Sequence, residues 1–300
     1  MPNGTISTLV RNLRDDQSLR VEELIRRAAD LNSNLLIFGE TGVGKDFWIS
    51  YLQEITGCPT LLNLHCADVP ENLIESEWFG YSKGAFTGAE KDYEGKWKKA
   101  EGGILFLNRI DLLSLNVQSK LLRIIERKKY YALGSGVETD IDARFVFSAD
   151  DDIEHKVREN RFRADLYYRV STVKVRVPPL RERPADILPL VEYVARQRSL
   201  RVELSARAAD LLVHYPWMGN IREIENFIVA VSIEKDRLTD EDVTALIKNS
   251  DDFFETVKRT DMSLAELETR YIEFLIRKYK NKARVAEILK ISRKTLYNKT

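Results

Sequence analysis

The sequence predicts an α/β domain with a mostly parallel sheet, followed by a small domain built from helices only. Short apolar runs alternate with segments of helical periodicity as far as residue 178. Strands that alternate with helices favour a parallel sheet covered on both faces. Pro178 and Pro179 end the alternation, and only helical patterns follow them. A glycine-rich turn stands directly after the first strand.

The elements follow this pattern in order. An amphipathic helix is expected at residues 19–31, and a strand at 34–38 leads into the glycine-rich turn. Next come a helix at 46–55, strands at 61–64, 103–107, 144–148 and 173–177, and a helix at 117–128. Later helices are expected at 187–200, 205–215, 221–235, 239–247, 263–279, 283–289 and 292–299. We therefore predict domains at residues 1–178, 179–248 and 263–300, with a polar linker at 249–262.

The composition, 44% hydrophobic and 31% charged over 300 residues, is that of a globular chain and excludes collagen-like and fully disordered proteins. The apolar runs are far shorter than the ~20 residues of a membrane helix. The first residues lack a secretory signal. Cys58 and Cys66 provide no disulfide framework. The chain is expected to be cytoplasmic, without a membrane partner.

The net charge of zero hides an asymmetry. Residues 270–300 carry ten Lys or Arg against two acids, so the preceding residues carry an excess of acids. A basic tail on an acidic body indicates a polyanionic partner at the C-terminal end. By charge alone, a solvated helix face is an equal alternative.

The glycine-rich turn has the pattern of a phosphate-binding loop. Glycines let backbone N–H groups turn inward around phosphate oxygens, and the helix that follows adds partial positive charge. Lys45 is expected to reach the β- and γ-phosphates. Asp46 stands where Ser or Thr usually helps to hold Mg²⁺, and it is the candidate metal ligand. The residues expected to bind ATP are Gly39, Glu40, Thr41, Gly42, Val43, Gly44, Lys45 and Asp46.

The strand at 103–107 should end in an acid that holds Mg²⁺ and orients the attacking water. The residues there are Asn108 and Arg109. Neither can do this work, because an amide is no general base and a guanidinium has no acceptor. Asp111, two residues further on, is expected to point elsewhere.

Residues 84–89 read Gly84, Ala85, Phe86, Thr87, Gly88 and Ala89, and with them the chain resembles the sigma-54-dependent enhancer-binding proteins, which are bacterial AAA+ transcription activators. The stretches PENLIESEWFG (70–80), VPPLRERPADI (177–187) and YPWMGNIREIEN (215–226) agree with this resemblance. It runs from about residue 3 to residue 300. It implies a AAA+ domain, a helical lid and a Fis-type helix-turn-helix, with no receiver domain.

The resemblance assigns roles to several residues. Residues 84–89 would contact sigma-54 of the RNA polymerase holoenzyme when ATP is bound, and a mobile tip with one aromatic anchor suits a partner contact. A buried aromatic turn is the alternative. Arg163 and Arg169 match arginine fingers that reach the nucleotide of the next subunit in a ring, expected to be a homo- or hetero-hexamer. Each is equally an ordinary ion-pair residue on sequence alone. Arg222 matches the sensor arginine of the lid.

The departures from the family fall on the hydrolytic residues. The family has Asp-Glu at Asn108 and Arg109, a switch asparagine at His65, and a Thr-Asn pair at Ala149 and Asp150. Losing one oriented polar group costs about 10²–10³ in rate. We therefore expect slow or absent hydrolysis, with Arg109 able to pair with the γ-phosphate.

Residues 283–289 and 292–299 read as helix, turn, helix, with Ser292 as the candidate N-cap of the second helix. Val285 and Leu296 are expected in a small core. Outward residues would enter the major groove of double-stranded DNA at upstream enhancer sites. A basic helical cap is the alternative. The candidate DNA-binding residues are Arg293, Lys294, Thr295, Asn298 and Lys299.

Three interpretations follow. The first is a sigma-54-dependent regulator that binds ATP, hydrolyses it poorly and acts with a competent paralogue. The second is a fully active ATPase activator in which Asp46, Asp111 or Asp150 replaces the missing acids. The third is a DNA-bound scaffold or repressor whose oligomerisation ATP controls.

Overall fold

The computed structural model describes residues 6–31 and 33–249, together with Ile272, Val285 and Leu296. The chain falls into two compact units, Met1–Asp240 and Glu241–Thr300. The predicted linker beyond residue 249 lies outside the described residues. So do the predicted DNA-binding residues Arg293, Lys294, Thr295, Asn298 and Lys299.

The first unit contains a five-stranded sheet in which every pair of neighbours is parallel. This confirms the predicted parallel α/β class. The spatial order is β2-β3-β6-β1-β7, with β4 and β5 forming a separate antiparallel pair. The strands are β1 (Leu35–Phe38), β2 (Leu61–His65), β3 (Gly103–Asn108), β4 (Lys129–Tyr131), β5 (Glu138–Asp140), β6 (Ala143–Ala149) and β7 (Val173–Arg176).

Helices cover the sheet and build the segments that follow it. They are α1 (Ile6–Val10), α2 (Asp16–Leu31), α3 (Lys45–Thr56), α4 (Glu71–Phe79), α5 (Leu115–Arg127), α6 (Ile153–Arg158), α7 (Ala164–Val170), α8 (Ile187–Gln197), α9 (Ala206–His214), α10 (Asn220–Glu234) and α11 (Asp240–Asn249). None of the helices among the described residues is long and apolar enough to cross a membrane.

Apolar sequence explains the packing of the sheet. Every residue of β1 and β3 is buried, as expected for strands covered on both faces. Helix α5 places Val117, Leu121 and Ile124 on its buried face, three or four residues apart. Ser114 caps this helix by accepting a hydrogen bond from the backbone N–H of Val117.

The expectation of helices alone after residue 178 was wrong in one detail. Two short strands, β8 (Arg201–Val202) and β9 (Arg237–Leu238), pair in parallel. Helix α8 ends at Gln197 rather than at residue 200, and Ser199 adopts a left-handed φ of 55°. This turn lets the chain leave the helix axis and enter β8.

In the second unit, Ile272, Val285 and Leu296 are each helical and buried. The predicted burial of Val285 and Leu296 is therefore confirmed.

Candidate nucleotide-binding site

The parallel register brings the carboxyl ends of β1, β3 and β6 side by side. Phe38 lies opposite Ala149, and His65 lies opposite Asn108. The loop at residues 39–44 leaves β1 at this edge and enters α3. Open parallel sheets bind ligands at this end of their strands. A cavity of about 390 Å³ lies here, lined by the loop, by strand ends and by residues of α8 and α10.

The conformation of the loop requires glycine at several positions, as Gly42 and Gly44 show. Gly42 and Gly44 have φ values of 81° and 97°, a region that favours glycine. A Cβ atom on Gly42 would also overlap the carbonyl oxygen of Gly219. The close approach of the loop to Gly219 therefore depends on glycine at position 42.

Lys45 begins α3 and is part of the cavity wall. Its Nζ donates to the carbonyl oxygens of Gly39 at 2.6 Å and Glu40 at 2.9 Å. Burial lowers the pKa of Lys45, and the negative charge of Asp150 opposes this shift. The amine is placed beside the loop where phosphate oxygens could accept its hydrogen bonds.

Asn108 forms a fixed hydrogen-bond chain at the end of β3. Its Oδ1 accepts from Ser148 Oγ at 2.5 Å, and its Nδ2 donates to Asp46 Oδ1 at 3.0 Å. The oxygen is therefore engaged, and the amide presents its donor side to Asp46. His65 lies on the neighbouring strand and also lines the cavity.

Arg109 follows Asn108 in a left-handed conformation with φ 64°. Its guanidinium donates two parallel hydrogen bonds to Asp111, at 2.9 and 3.0 Å, and lies 3.2 Å from Asp150 Oδ2. The hydrogen bonds to Asp111 raise the pKa of Arg109, so it stays a permanent cation. Its side chain is 21% exposed and lines the cavity.

Asp111 is a fully buried carboxylate. Besides Arg109, it accepts a hydrogen bond from Lys156 Nζ at 2.8 Å and one from the backbone N–H of Asp150 at 3.2 Å. Burial alone would raise the pKa of Asp111, but the hydrogen bonds from Arg109 and Lys156 lower it on balance. Its contacts agree with the expectation that it points away from the phosphate loop.

The segment before α10 is bonded directly to the loop. Asn220, fully buried with φ 55°, donates from Nδ2 to the carbonyl oxygen of Thr41 at 3.0 Å and accepts from the N–H of Leu180 at 2.8 Å. The N–H of Ile221 donates to the carbonyl oxygen of Gly42 at 2.9 Å. These hydrogen bonds join the phosphate loop to the start of α10 and to the residues before α8.

Arginines from the same region reach the site. Arg181 Nη1 donates to Glu40 at 2.9 Å, and the buried Arg183 donates from Nη2 to the carbonyl oxygen of Val43 at 2.6 Å. Arg222 is exposed and lines the cavity. Sequence reasoning selected Arg222 but missed Arg181, Arg183 and Asn220. All three lie within the stretches at 177–187 and 215–226 that carry the family resemblance, and this resemblance was the signal that could have identified them.

The two candidate finger arginines do not belong to this cavity wall. Arg163 pairs with Asp165 through hydrogen bonds of 3.0 and 2.7 Å and donates to Ser119 Oγ at 3.1 Å. Arg169 is exposed on α7, beside Tyr168, which is 74% exposed. Both arginines stand on the surface.

Residues 84–89 form a compact turn closed by a hydrogen bond from the N–H of Gly84 to the carbonyl oxygen of Ala89. Phe86 is 46% exposed, and its ring lies 4.9 Å from that of Tyr81. A Cβ atom on Gly134, in the β4–β5 connection, would lie 2.7 Å from Ala85 Cβ. The tip is anchored at its base, and its aromatic side chain is accessible.

A nucleoside triphosphate fits these residues. The loop N–H groups and Lys45 would hold phosphates, and Leu9, Leu13, Leu190 and Val194 provide an apolar wall for a base. A divalent cation fits less well. The carboxylates of the described wall are Asp46 and Glu225, and the described residues contain no cluster of three potential metal ligands.

The family model of the sigma-54 interaction domain matches residues 12–176, more than half of the chain. The chain belongs to the sigma-54 interaction domain family. The model of the AAA+ ATPase lid domain matches residues 181–260, and that of the Fis family of bacterial regulatory proteins matches residues 263–299.

Curated relatives of this sigma-54 family chain are longer than it is. It is 38% identical over 231 residues to the Nif-specific regulatory protein of Azotobacter vinelandii, covering 75% of this chain and 43% of that protein. It is 38% identical over 238 residues to the sigma54-dependent transcriptional activator SfnR of Pseudomonas putida, covering 76% and 65%. The chain therefore spans less than two thirds of either relative.

Crystal structures of NtrX from Brucella abortus share the fold. The complex with ATP superposes with a TM-score of 0.67 at 24% identity, covering 96% of this chain and 67% of that one. The complex with ADP has the same TM-score at 25% identity and the same coverage. The AAA+ fold implied by the sequence is confirmed for this sigma-54 family chain.

Proposed function

We propose that the chain is a sigma-54-dependent transcription regulator that binds ATP and upstream DNA but hydrolyses ATP slowly or not at all. The observation that carries this proposal is the end of β3, where Asn108 binds Asp46 and Arg109 binds Asp111 and Asp150. Hydrolysis needs a carboxylate that orients the attacking water, and each candidate is engaged by a neighbour. Losing such a group costs about 10²–10³ in rate, although several losses do not add simply.

The active-ATPase alternative requires Asp46, Asp111 or Asp150 to act as the missing acid. Asp111 is fully buried between two cations, and Asp150 is paired with Arg109. Releasing Asp111 would leave a buried charge without partners, which is costly. These contacts favour the poorly hydrolysing interpretation.

ATP binding by residues 39–46 and Arg222 is supported by the left-handed glycines, by the position of Lys45 and by the complex of the similar NtrX with ADP. Mg²⁺ at Asp46 stays a prediction, since this carboxylate already accepts a hydrogen bond from Asn108.

The partners are proposed from the family and from accessible surfaces. The accessible Phe86 supports residues 84–89 as the contact with the sigma-54 RNA polymerase holoenzyme. The Fis-family match at residues 263–299 supports binding to double-stranded DNA at upstream enhancer sites, in the cytoplasm. Arg163 and Arg169 would serve a neighbouring subunit in a homo- or hetero-oligomeric ring, expected to be a hexamer. The chain has the candidate finger arginines but lacks the acids of the hydrolytic site. This combination favours a mixed ring with a paralogue that hydrolyses ATP.

The test measures ATP binding and steady-state phosphate release on one preparation of the chain. We expect saturable binding with turnover at least about 10²-fold below that of an active family member. The double variant Asn108→Asp, Arg109→Glu restores the two acids and should raise turnover without a matching change in affinity. Turnover of the unaltered chain equal to that of an active member would refute the proposal.

A second measurement separates the regulator from the scaffold alternative. Capture of sigma-54 in the presence of a γ-phosphate analogue, by this chain alone and mixed with a paralogue, supports the regulator. A chain that binds DNA and ATP but never captures sigma-54 in either mixture is a scaffold or repressor.

A further inference from the structure

The cavity wall carries an excess of positive charge. Its cations are Lys45, Arg109, Arg183 and Arg222, and its carboxylates are Asp46 and Glu225. In most phosphate-binding loops a bound Mg²⁺ neutralises part of the charge of the triphosphate. Here Arg109 adds a further cation to the wall, at the end of β3.

The end of β3 is a poor place for Mg²⁺, which prefers octahedral oxygen ligands and usually takes one or two carboxylates. Asn108 cannot turn its oxygen towards the cavity without breaking the 2.5 Å hydrogen bond from Ser148. Its Nδ2 instead donates a hydrogen bond to Oδ1 of Asp46. The two groups that could bind the metal are therefore bonded to each other.

Arg109 adds a positive charge at the same edge of the sheet. The charge of Arg109 lowers the pKa of Lys45, and only burial and the charge of Asp150 affect that pKa more. The two cations are therefore close enough to interact electrostatically. The Nε and Nη2 atoms of Arg109 bind Asp111 and Asp150, and no described residue accepts a hydrogen bond from Nη1. The guanidinium is thus fixed on one side and keeps a donor for an anionic oxygen on the other.

We propose that Arg109 replaces the divalent cation as counter-charge to the phosphates, so that this chain binds a nucleoside triphosphate without Mg²⁺. The proposal rests on the nucleotide site proposed above. It assigns to Arg109 a binding role, because Asp111 and Asp150 fix the guanidinium at the end of β3, where its Nη1 donor can bind a phosphate oxygen.

The test is calorimetric titration of the whole chain with ATP, once with excess Mg²⁺ and once with EDTA. We expect dissociation constants that agree within about threefold, well below the tenfold change that corresponds to 1.4 kcal/mol. Binding that weakens more than about tenfold in EDTA overturns the proposal while leaving the nucleotide site intact. Absence of binding in both buffers overturns the nucleotide site as well.

Variants identify the residue responsible. Arg109→Gln should weaken ATP binding in EDTA by about tenfold. The control Arg237→Gln removes an arginine that pairs with Glu203 outside the cavity, and it should bind ATP like the unaltered chain in both buffers. The double variant Asn108→Asp, Arg109→Glu should acquire a Mg²⁺ dependence of about tenfold or more. If a folded Arg109→Gln protein binds ATP in EDTA as tightly as the unaltered chain, Arg109 does not have this role.

Discussion

Asp111 binds two cations at once, Arg109 and Lys156, although its own side chain has no exposure to solvent. Such a carboxylate is costly to bury and stays ionised only because both partners are present. It therefore fixes the orientation of Arg109 and, through it, the charge of the candidate nucleotide site.

We expect Asp111→Asn to lower the free energy of unfolding by about 3 kcal/mol at pH 7, because the buried Lys156 and the half-buried Arg109 each lose one carboxylate partner. The folded-state pKa of Asp111 is lowered, so its stabilisation is complete above the unfolded pKa of about 3.9 and is lost as pH falls through the lower folded value. The difference between the two proteins should shrink below about pH 4. Denaturant unfolding across pH measures it.

The exposed Asp142 provides the matched control for this experiment. Asp142→Asn should change stability by less than about 0.5 kcal/mol. An Asp111→Asn protein as stable as the unaltered chain at pH 7 would show that the buried ion pairs contribute nothing.

Spacing along the chain predicted some of the residues that line the cavity but not how they bind each other. Lys45 and Asp46 follow from a local motif. The bond between Asn108 and Asp46 joins residues 62 positions apart, and that between Lys156 and Asp111 joins residues 45 apart. Such pairs depend on the strand order of the sheet, which alternating periodicity does not determine.

At the level of elements, Asn220 connects the start of α10 to the phosphate loop through Thr41 and to the residues before α8 through Leu180. Asn220→Gly should cost about 2 kcal/mol, because a buried N–H loses its acceptor. Asn220→Ala should cost about 1 kcal/mol more, since its φ of 55° is unfavourable for alanine. Thermal unfolding of both variants separates the two effects. Equal stability of the two variants would show that the positive φ of residue 220 carries no cost for alanine.

The turn at residues 84–89 depends on its contact with the β4–β5 connection. In Gly134→Ala the new methyl group would meet Ala85 at 2.7 Å, and its φ of 72° disfavours alanine, so the turn must shift. We expect sigma-54 capture to weaken by about tenfold, with ATP affinity unchanged.

Gly136 lies in the same connection and has nothing within 4 Å of an added Cβ. Gly136→Ala therefore serves as the control and should capture sigma-54 normally. Full capture by Gly134→Ala would mean that the position of the turn does not depend on the neighbouring connection.

Periodicity predicted the longer elements well because each offers several turns or alternations to read. The strands of the five-stranded sheet and the helices α2, α3 and α5 were expected, with ends displaced by a few residues, whereas the shorter helices α4, α6 and α7 were not predicted. It could not predict β8 and β9, since two residues make no period. Nor did it predict the antiparallel pair β4 and β5, whose three-residue strands are equally short.

At the scale of the whole molecule, a chain whose nucleotide site lacks the hydrolytic acids can still act on the nucleotide bound by a neighbouring subunit. Arg169 is exposed on α7, and no hydrogen bond or ion pair of its side chain occurs among the described residues. Arg163 differs, because its guanidinium donates hydrogen bonds to Asp165 and Ser119 of the same chain. Arg169 is therefore the better placed of the two to reach across a subunit boundary.

In an equimolar mixture with a competent paralogue, we expect the chain to preserve turnover per paralogue subunit within about twofold, since it supplies its arginine in trans. Removing a finger lowers kcat by about 10³–10⁵ at the affected site. Arg169→Ala should therefore silence the paralogue sites that face this chain, halving turnover or more at unchanged ring size. The exposed Arg207 on α9 gives the control Arg207→Ala, which should behave as the unaltered chain. If mixed rings form and Arg169→Ala changes nothing, the chain does not act on its neighbour's nucleotide.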